Sequence, residues 1–154
     1  MGMFTSINIA STGMAFERLR TDVIADNIAN ASTTRTTDGD GPFKKSMVIA
    51  EPIASEHPTW RMPFVTADQD NGPGKGVRVR EIVKDTSEGK LVWDPTNPDA
   101  FKSGPKAGYV EYPNVNIVNE MVDLISASRA YEANSTVVQG AKDMFSAALE
   151  IGRA

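Results

Sequence analysis

The residues that could do chemistry are few and scattered. The single histidine, His57, lies in a proline-containing loop, SEHPTW, with Glu56 beside it. Adjacent loop residues do not converge on one ion or one proton by spacing alone, so His57 reads as a solvated side chain. Asp38 and Asp40 in DGDG resemble the opening of a calcium loop. With Thr36 as first ligand, however, the twelfth position is Met47, where a bidentate glutamate is needed. The GPGKG run, Gly72 to Gly76, has neither GxGxxG spacing nor a GKS or GKT ending, and no amphipathic helix follows it to face a phosphate. Glu120 and Asp123 share a helix face at i,i+3, but their place in the first turns of a helix accounts for them through its dipole. Tyr131 reads as packing. With no cysteine in the chain, thiolate nucleophiles, disulfides and cysteine metal sites are excluded. No catalytic, cofactor-binding or metal-ligating set is assigned, and neither an enzyme nor a cofactor is expected.

One polar cluster remains, DNIANASTT. Asn27 and Asn30 sit three apart in an otherwise apolar, helical run. Asparagine is a mediocre helix former because its amide competes for nearby backbone groups. Beside an apolar seam such amides can hydrogen-bond a neighbouring helix and fix its register, as buried asparagines do in coiled coils. The competing reading is a satisfied helix end, closed by Ser32, Thr33 and Thr34. Asn134, in YEAN, is a candidate for a role of the same kind.

The elements that carry these residues fall into three zones: 1–31, 32–113 and 114–154. In the first, Ile7, Ala10, Met14, Glu17, Thr21, Ile24, Ile28 and Ala31 follow alternating three- and four-residue steps, the signature of a helical seam. In the last, Ile117, Met121, Leu124, Ser128, Tyr131, Ser135, Val138, Lys142, Phe145 and Leu149 do the same. Asn116 is the expected N-cap of that helix. At 1.5 Å per residue it would run to roughly 50 Å, too long for a small core to bury. The middle zone holds all nine prolines, with short runs that read as strands: Met47–Ile53, Val77–Val83, Leu91–Trp93 and Tyr109–Tyr112. The expected fold is therefore α+β, two long terminal helices in a coiled-coil-like hairpin flanking a small irregular β-rich middle. Matching the polar interruptions of the two seams places Thr21 opposite the region of Ser135, and Glu17 near Gln139 to Lys142. Both helices keep apolar surface on several sides, which points to completion by neighbouring chains.

Composition narrows the partners. A formal charge of −4, with no block of lysine or arginine, argues against nucleic acid. No stretch approaches the roughly 20 apolar residues of a membrane span, and the first residues lack the features of a cleaved signal peptide. Gly2 and Ser6 fit an acylation pattern, and Asn30-Ala31-Ser32 and Asn134-Ser135-Thr136 fit the glycosylation triplet; all three read as chance matches.

Two segments together resemble a known family. The helix end IADNIANASTTRT followed by DGDGPFKK, and the run GYVEYPNVNIVNEMVDLISASRAYEAN from Gly108 to Asn134, are similar to the proximal rod (FlgC) family of the bacterial flagellar basal body. LVWDPTNPDA, Leu91 to Ala100, also looks like the family's middle, with Asn97 where a histidine is common. The stretches from about Ile53 to Pro73 and KSGPK look like local elaborations. The resemblance implies a structural subunit, exported unfolded by the flagellar type III apparatus without a cleaved signal. It further implies polymerisation with other rod subunits into the shaft that crosses the periplasm. Neither a small-molecule substrate nor stable membrane insertion is expected. The assembly interface expected on that reading is Ile7, Met14, Ile24, Asn27, Ile28 and Asn30 of the first helix. From the last helix it takes Ile117, Met121, Leu124, Ser128, Tyr131, Asn134, Val138, Phe145 and Leu149. The competing class is a helical-hairpin adaptor with a β insertion, working outside a flagellum.

Overall fold

A computed structural model describes residues 3–36, 41–53 and 74–152. The Gly2 acylation position, Asp38, Asp40, His57 with Glu56, and the start of GPGKG lie outside the described residues.

Two helices dominate. α1, Met3–Ala29, and α2, Ile117–Ile151, run antiparallel. At 1.5 Å per residue they measure about 40 and 52 Å. α2 begins where the sequence requires: the Asn116 side chain accepts hydrogen bonds from the N–H groups of Val118 (3.0 Å) and Asn119 (3.4 Å). Glu120 sits in the first turn. Between the helices, among the described residues, lie four strands in two antiparallel pairs. β1 (Ser46–Pro52) pairs with β2 (Val77–Lys84), and β3 (Lys90–Trp93) with β4 (Tyr109–Tyr112). All four expected strands form, with ends displaced by at most a residue or so, and the fold is α+β.

The face that α2 turns to α1 differs from the expected seam. Glu120, Ala127 and Ala141 are buried, and Asn134, at the intervening heptad position, packs against Gly13 of α1. Leu124 and Val138 flank this line and are half-buried, whereas Ile117, Met121, Ser128 and Leu149 face outward. The expected stripe followed the bulkiest side chains. The contact is in fact made by small ones, which let the helix backbones approach, and the bulky ones stand outside. The register is corrected too. Thr21 lines a groove with Ser128 and Tyr131, about two helical turns from the expected Ser135. Glu17 pairs with Arg20 of its own helix (3.7 Å). Specific contacts set the alignment: Asn27 to Glu120, Arg20 to Asp123 (3.1 Å), Gly13 to Asn134, and the Phe4 and Phe145 rings (centroids 6.3 Å apart). Matching of polar interruptions is too weak to compete with these.

The β1–β2 ribbon lies along α1, because both its ends are tied there. At one end Ser46 bonds Asn27; at the other the Val77 N–H donates to Thr12 Oγ1 (3.2 Å). Fifteen helical residues from Thr12 to Asn27 span about 22 Å, and the six steps of β1 span about 20 Å, so the lengths match. The Thr12 tie requires Gly76, whose φ of 105° is a left-handed conformation and whose absent Cβ would overlap Thr12 Oγ1.

Gly13 has no room to spare, since a Cβ there would stand 2.9 Å from Asn134 Nδ2. Gly13→Val should lower stability by about 1–3 kcal/mol through overpacking. Adding Asn134→Ala should restore part of that loss, read by urea denaturation of the single and double variants.

Candidate assembly interface and its polar anchor

Among the described residues the buried apolar core is sparse: Ala10, Ile24, Val110, Ala127 and Ala141. Two of the three largest fully buried side chains are polar, Glu120 and Asn27, each 1% exposed. They meet where α1, α2 and β1 converge. Asn27 Nδ2 donates to Glu120 Oε2 (3.1 Å) and to the Ser46 carbonyl (2.9 Å), while the Ser46 N–H donates to Asn27 Oδ1 (2.9 Å). The amide thus pairs with both backbone groups of Ser46 as a neighbouring strand would. Lys45 Nζ forms an ion pair with Glu120 Oε1. The same lysine's backbone N–H donates to Asn114 Oδ1 (2.9 Å), just ahead of α2. A carboxylate buried this deeply is tolerable only with its charge matched and its lone pairs engaged.

Beside this anchor is a cleft of about 280 Å³, lined by Phe16, Arg20, Val23, Lys45, Met47 and Asp123 among others. Arg20 and Asp123 are paired within its lining. Its titratable groups are already paired, and among the described residues no group of three or more acidic or histidine side chains is placed to hold a metal. A second cluster secures β3–β4. Glu111 accepts from Lys44 Nζ (3.2 Å) and from the Gly89 N–H (3.3 Å). Partial burial pushes its carboxyl pKa up, but the Lys44 and Gly89 hydrogen bonds and the charges of Lys44 and Lys106 outweigh this and hold it below the ordinary range. The Asp94 carboxyl is also lowered, first by the Thr96 side-chain hydrogen bond and then by its backbone N–H.

The fifteen residues expected at an assembly interface divide into three groups, with Asn30 apart from them. Ile24 and Asn27 are consumed inside the chain, and Ile7, Met14, Ile28, Leu124, Asn134 and Val138 are half-buried along the helix pair. Ile117, Met121, Ser128, Tyr131, Phe145 and Leu149 are exposed. Asn30 bonds Asp26 of its own helix, through the carbonyl (3.0 Å) and the carboxylate (2.9 Å), so it closes the helix end. Asn134 donates to the Ala130 carbonyl (3.0 Å) while packing on Gly13. Sequence reasoning missed Lys45 and gave Glu120 only a dipole role. The seven-residue spacing of Glu120 from Ala127, Asn134 and Ala141 was the available signal. Among the described residues no helix is long and apolar enough to cross a membrane.

Two antiparallel helices at the chain ends, a β-rich middle and a bare apolar face on α2 are the construction of an assembly subunit. Residues 7–35 match the family model described as "Flagella basal body rod protein", and residues 106–151 that of "Flagellar basal body rod FlgEFG protein C-terminal". The chain is 58% identical to the flagellar basal-body rod protein FlgC of Borreliella burgdorferi, over 98% of both chains. Identity is 38% to that of Bacillus subtilis, over 99% of this chain and all of the relative, and 32% to that of Salmonella typhimurium with the same coverage. The chain belongs to the FlgC family of flagellar basal-body rod proteins, structural subunits of the rod.

Lys45→Met removes the countercharge and should cost about 3–5 kcal/mol. Lys45→Met with Glu120→Leu should recover most of it, since neither charge then remains buried; equal loss in both variants would falsify the anchor. Lowered carboxyl pKa values at Glu111 and Asp94 mean that stability is present above the usual carboxylate range and is lost as pH falls through the folded-state values. Below about pH 4, the Trp93 fluorescence of the β3–β4 hairpin should therefore change before helical circular dichroism is lost.

Proposed function

We propose that this chain is a proximal rod subunit whose terminal helices pack lengthwise with those of neighbouring rod subunits, while the β-rich middle faces outward. The segments 1–31 and 114–154 act together as one helical assembly unit, and 32–113 as an insertion on it. The chain leaves the cytoplasm through the flagellar type III apparatus without a cleaved signal and folds into a rod that crosses the periplasm and carries motor torque. It catalyses no reaction.

One observation carries this reading. Eleven large apolar side chains of α2 are exposed, while the buried apolar core among the described residues is mostly alanine. A helix left in this state is completed by other chains, and binding to the folded form then adds to its stability. Sparse burial also favours a chain easily kept unfolded for export. Dissimilar surfaces meeting head to tail generate an open helical array, as a shaft requires.

Met121→Asp tests the reading directly. Met121 faces outward, so the purified variant should retain the parent's circular dichroism. In cells it should abolish rod assembly and swimming by placing an unpaired charge in a packed interface. Deleting the protein should remove the rod from imaged basal bodies and leave the membrane-embedded base. Normal swimming of the variant would contradict the packing model, and intact rods in the deletion strain would contradict the rod assignment.

A further inference from the structure

Strands β3 and β4 pair only with each other, and no residue of either comes within 8 Å, Cα to Cα, of the helices or the β1–β2 ribbon. The chain enters this hairpin past Asp85 and leaves it past Asn114, and both residues bond the backbone of Lys45. The Asp85 N–H donates to the Lys45 carbonyl (2.7 Å), and the Lys45 N–H donates to Asn114 Oδ1 (2.9 Å). Asn114 Nδ2 in turn donates to Ser87 Oγ (2.8 Å), which closes the base. The same lysine holds Glu120, so this narrow base is fixed to the anchor between the helices.

Beyond the base, residues 90–112 form a unit. The strands are in register from Lys90 opposite Tyr112 to Trp93 opposite Tyr109. The far loop is bonded back on them: the Asp94 N–H donates to the Gly108 carbonyl (3.1 Å), and the Gly108 N–H to the Phe101 carbonyl (2.9 Å). The Trp93 and Tyr109 rings meet edge to face, with centroids 4.9 Å apart. Attachment of this unit to the rest is slight. Apart from contacts with the 85–89 turn, two side-chain hydrogen bonds reach it among the described residues. They run from Lys44 Nζ to Glu111 Oε1 (3.2 Å) and from Thr34 Oγ1 to Asp99 Oδ2 (2.8 Å). Val110 is its one buried apolar side chain, whereas Leu91, Trp93, Phe101 and Tyr109 are exposed. Lys44 and Glu111 are themselves partly exposed, so water and salt compete for their pair. The Thr34 bond stands at the opposite end of the hairpin from the base, where a tie has most leverage against rotation.

We propose that residues 90–112 are an arm hinged at Lys45 and held by two latches, Lys44–Glu111 and Thr34–Asp99. With the latches open the arm swings as a unit, while the helix pair and the β1–β2 ribbon keep their arrangement. A turn of about 20° at the base carries the far end of a four-step strand about 5 Å. Two features select this reading over a rigid insertion. The bonds inside the arm are repeated backbone pairs, whereas those that fix its angle are single side-chain contacts open to competition from solvent. The hinge residue is also the one that the buried carboxylate of Glu120 immobilises, so motion of the arm stops there. In the assembly proposed above, such an arm adjusts its outer contacts to a neighbour without disturbing the helix seam. That use rests on the rod reading; the hinge does not.

Because the chain has no cysteine, distances between paired spin labels test the hinge in the purified protein. One pair is placed at Ala25→Cys of α1 and Lys102→Cys of the arm. A second, at Ala25→Cys and Ser126→Cys of α2, reports on the helix pair alone. The parent should give one narrow 25–102 distribution. Thr34→Val with Lys44→Met should widen it by about 5 Å and leave the 25–126 distribution as it was. Thr34→Val alone, at about 1 M salt where charges are screened beyond about 3 Å, should reach the same width with Lys44 in place. That second experiment keeps the test decisive where the double variant fails to fold. A 25–102 distribution that widens in neither experiment would overturn the inference. So would one already as wide in the parent, or a 25–126 distribution that widens equally in the salt experiment. None of these results bears on the rod reading, which the deletion strain tests.

Discussion

The buried charge of Glu120 is the constraint on which the rest of the structure depends. Removing a carboxylate from water costs several kcal/mol, and here the compensation comes from three different elements. Asn27 supplies an amide from α1, Lys45 an ammonium from the residue just ahead of β1, and the Asn116 cap fixes the turn of α2 that carries Glu120 itself. None of these alone makes the burial tolerable. The helix pair and the ribbon must therefore close together, which couples two parts of the chain that otherwise share few buried apolar contacts. The same tie fixes helix register, because sliding α2 by one turn would leave the carboxylate facing apolar surface.

This anchor lies at one end of a long, thin structure. Away from it the helix pair is held by buried alanines, half-buried Ile7, Met14, Leu124 and Val138, Gly13 against Asn134, and Phe4 against Phe145. Burying an alanine removes little apolar area from water, so such a seam permits close approach while contributing modest free energy. Most of the larger apolar side chains of α2 stand on its outer face, while Leu124 and Val138 flank the seam. That division suits a subunit whose final stability is supplied by its neighbours and whose internal contacts serve to specify geometry.

Much of this was legible in the sequence. Three- and four-residue apolar spacing marked both helices, Asn116 marked the start of α2, and alternating runs between prolines marked all four strands. The face of α2 was not legible by the same rule. Periodicity locates a stripe of bulky residues, but it does not distinguish a stripe that packs inside the chain from one kept for another chain. Ala127 and Ala141 carry weak hydropathy and give little periodic signal, although their size is what lets the helices meet. Lys45 had no local signal, because its partner is 75 positions away and only the folded topology brings them together.

A polar anchor defines the hairpin inside the chain, and in the proposed assembly the outer face of α2 is completed by other subunits. Amide hydrogen exchange, compared between the purified chain and assembled rods, tests it most directly. Amides around Asn27 and Glu120 should be protected in both states, while those of the last turns of α2, through Leu149 and Ile151, should become protected only in rods. Equal protection of those turns in the isolated chain and in the rod would contradict it.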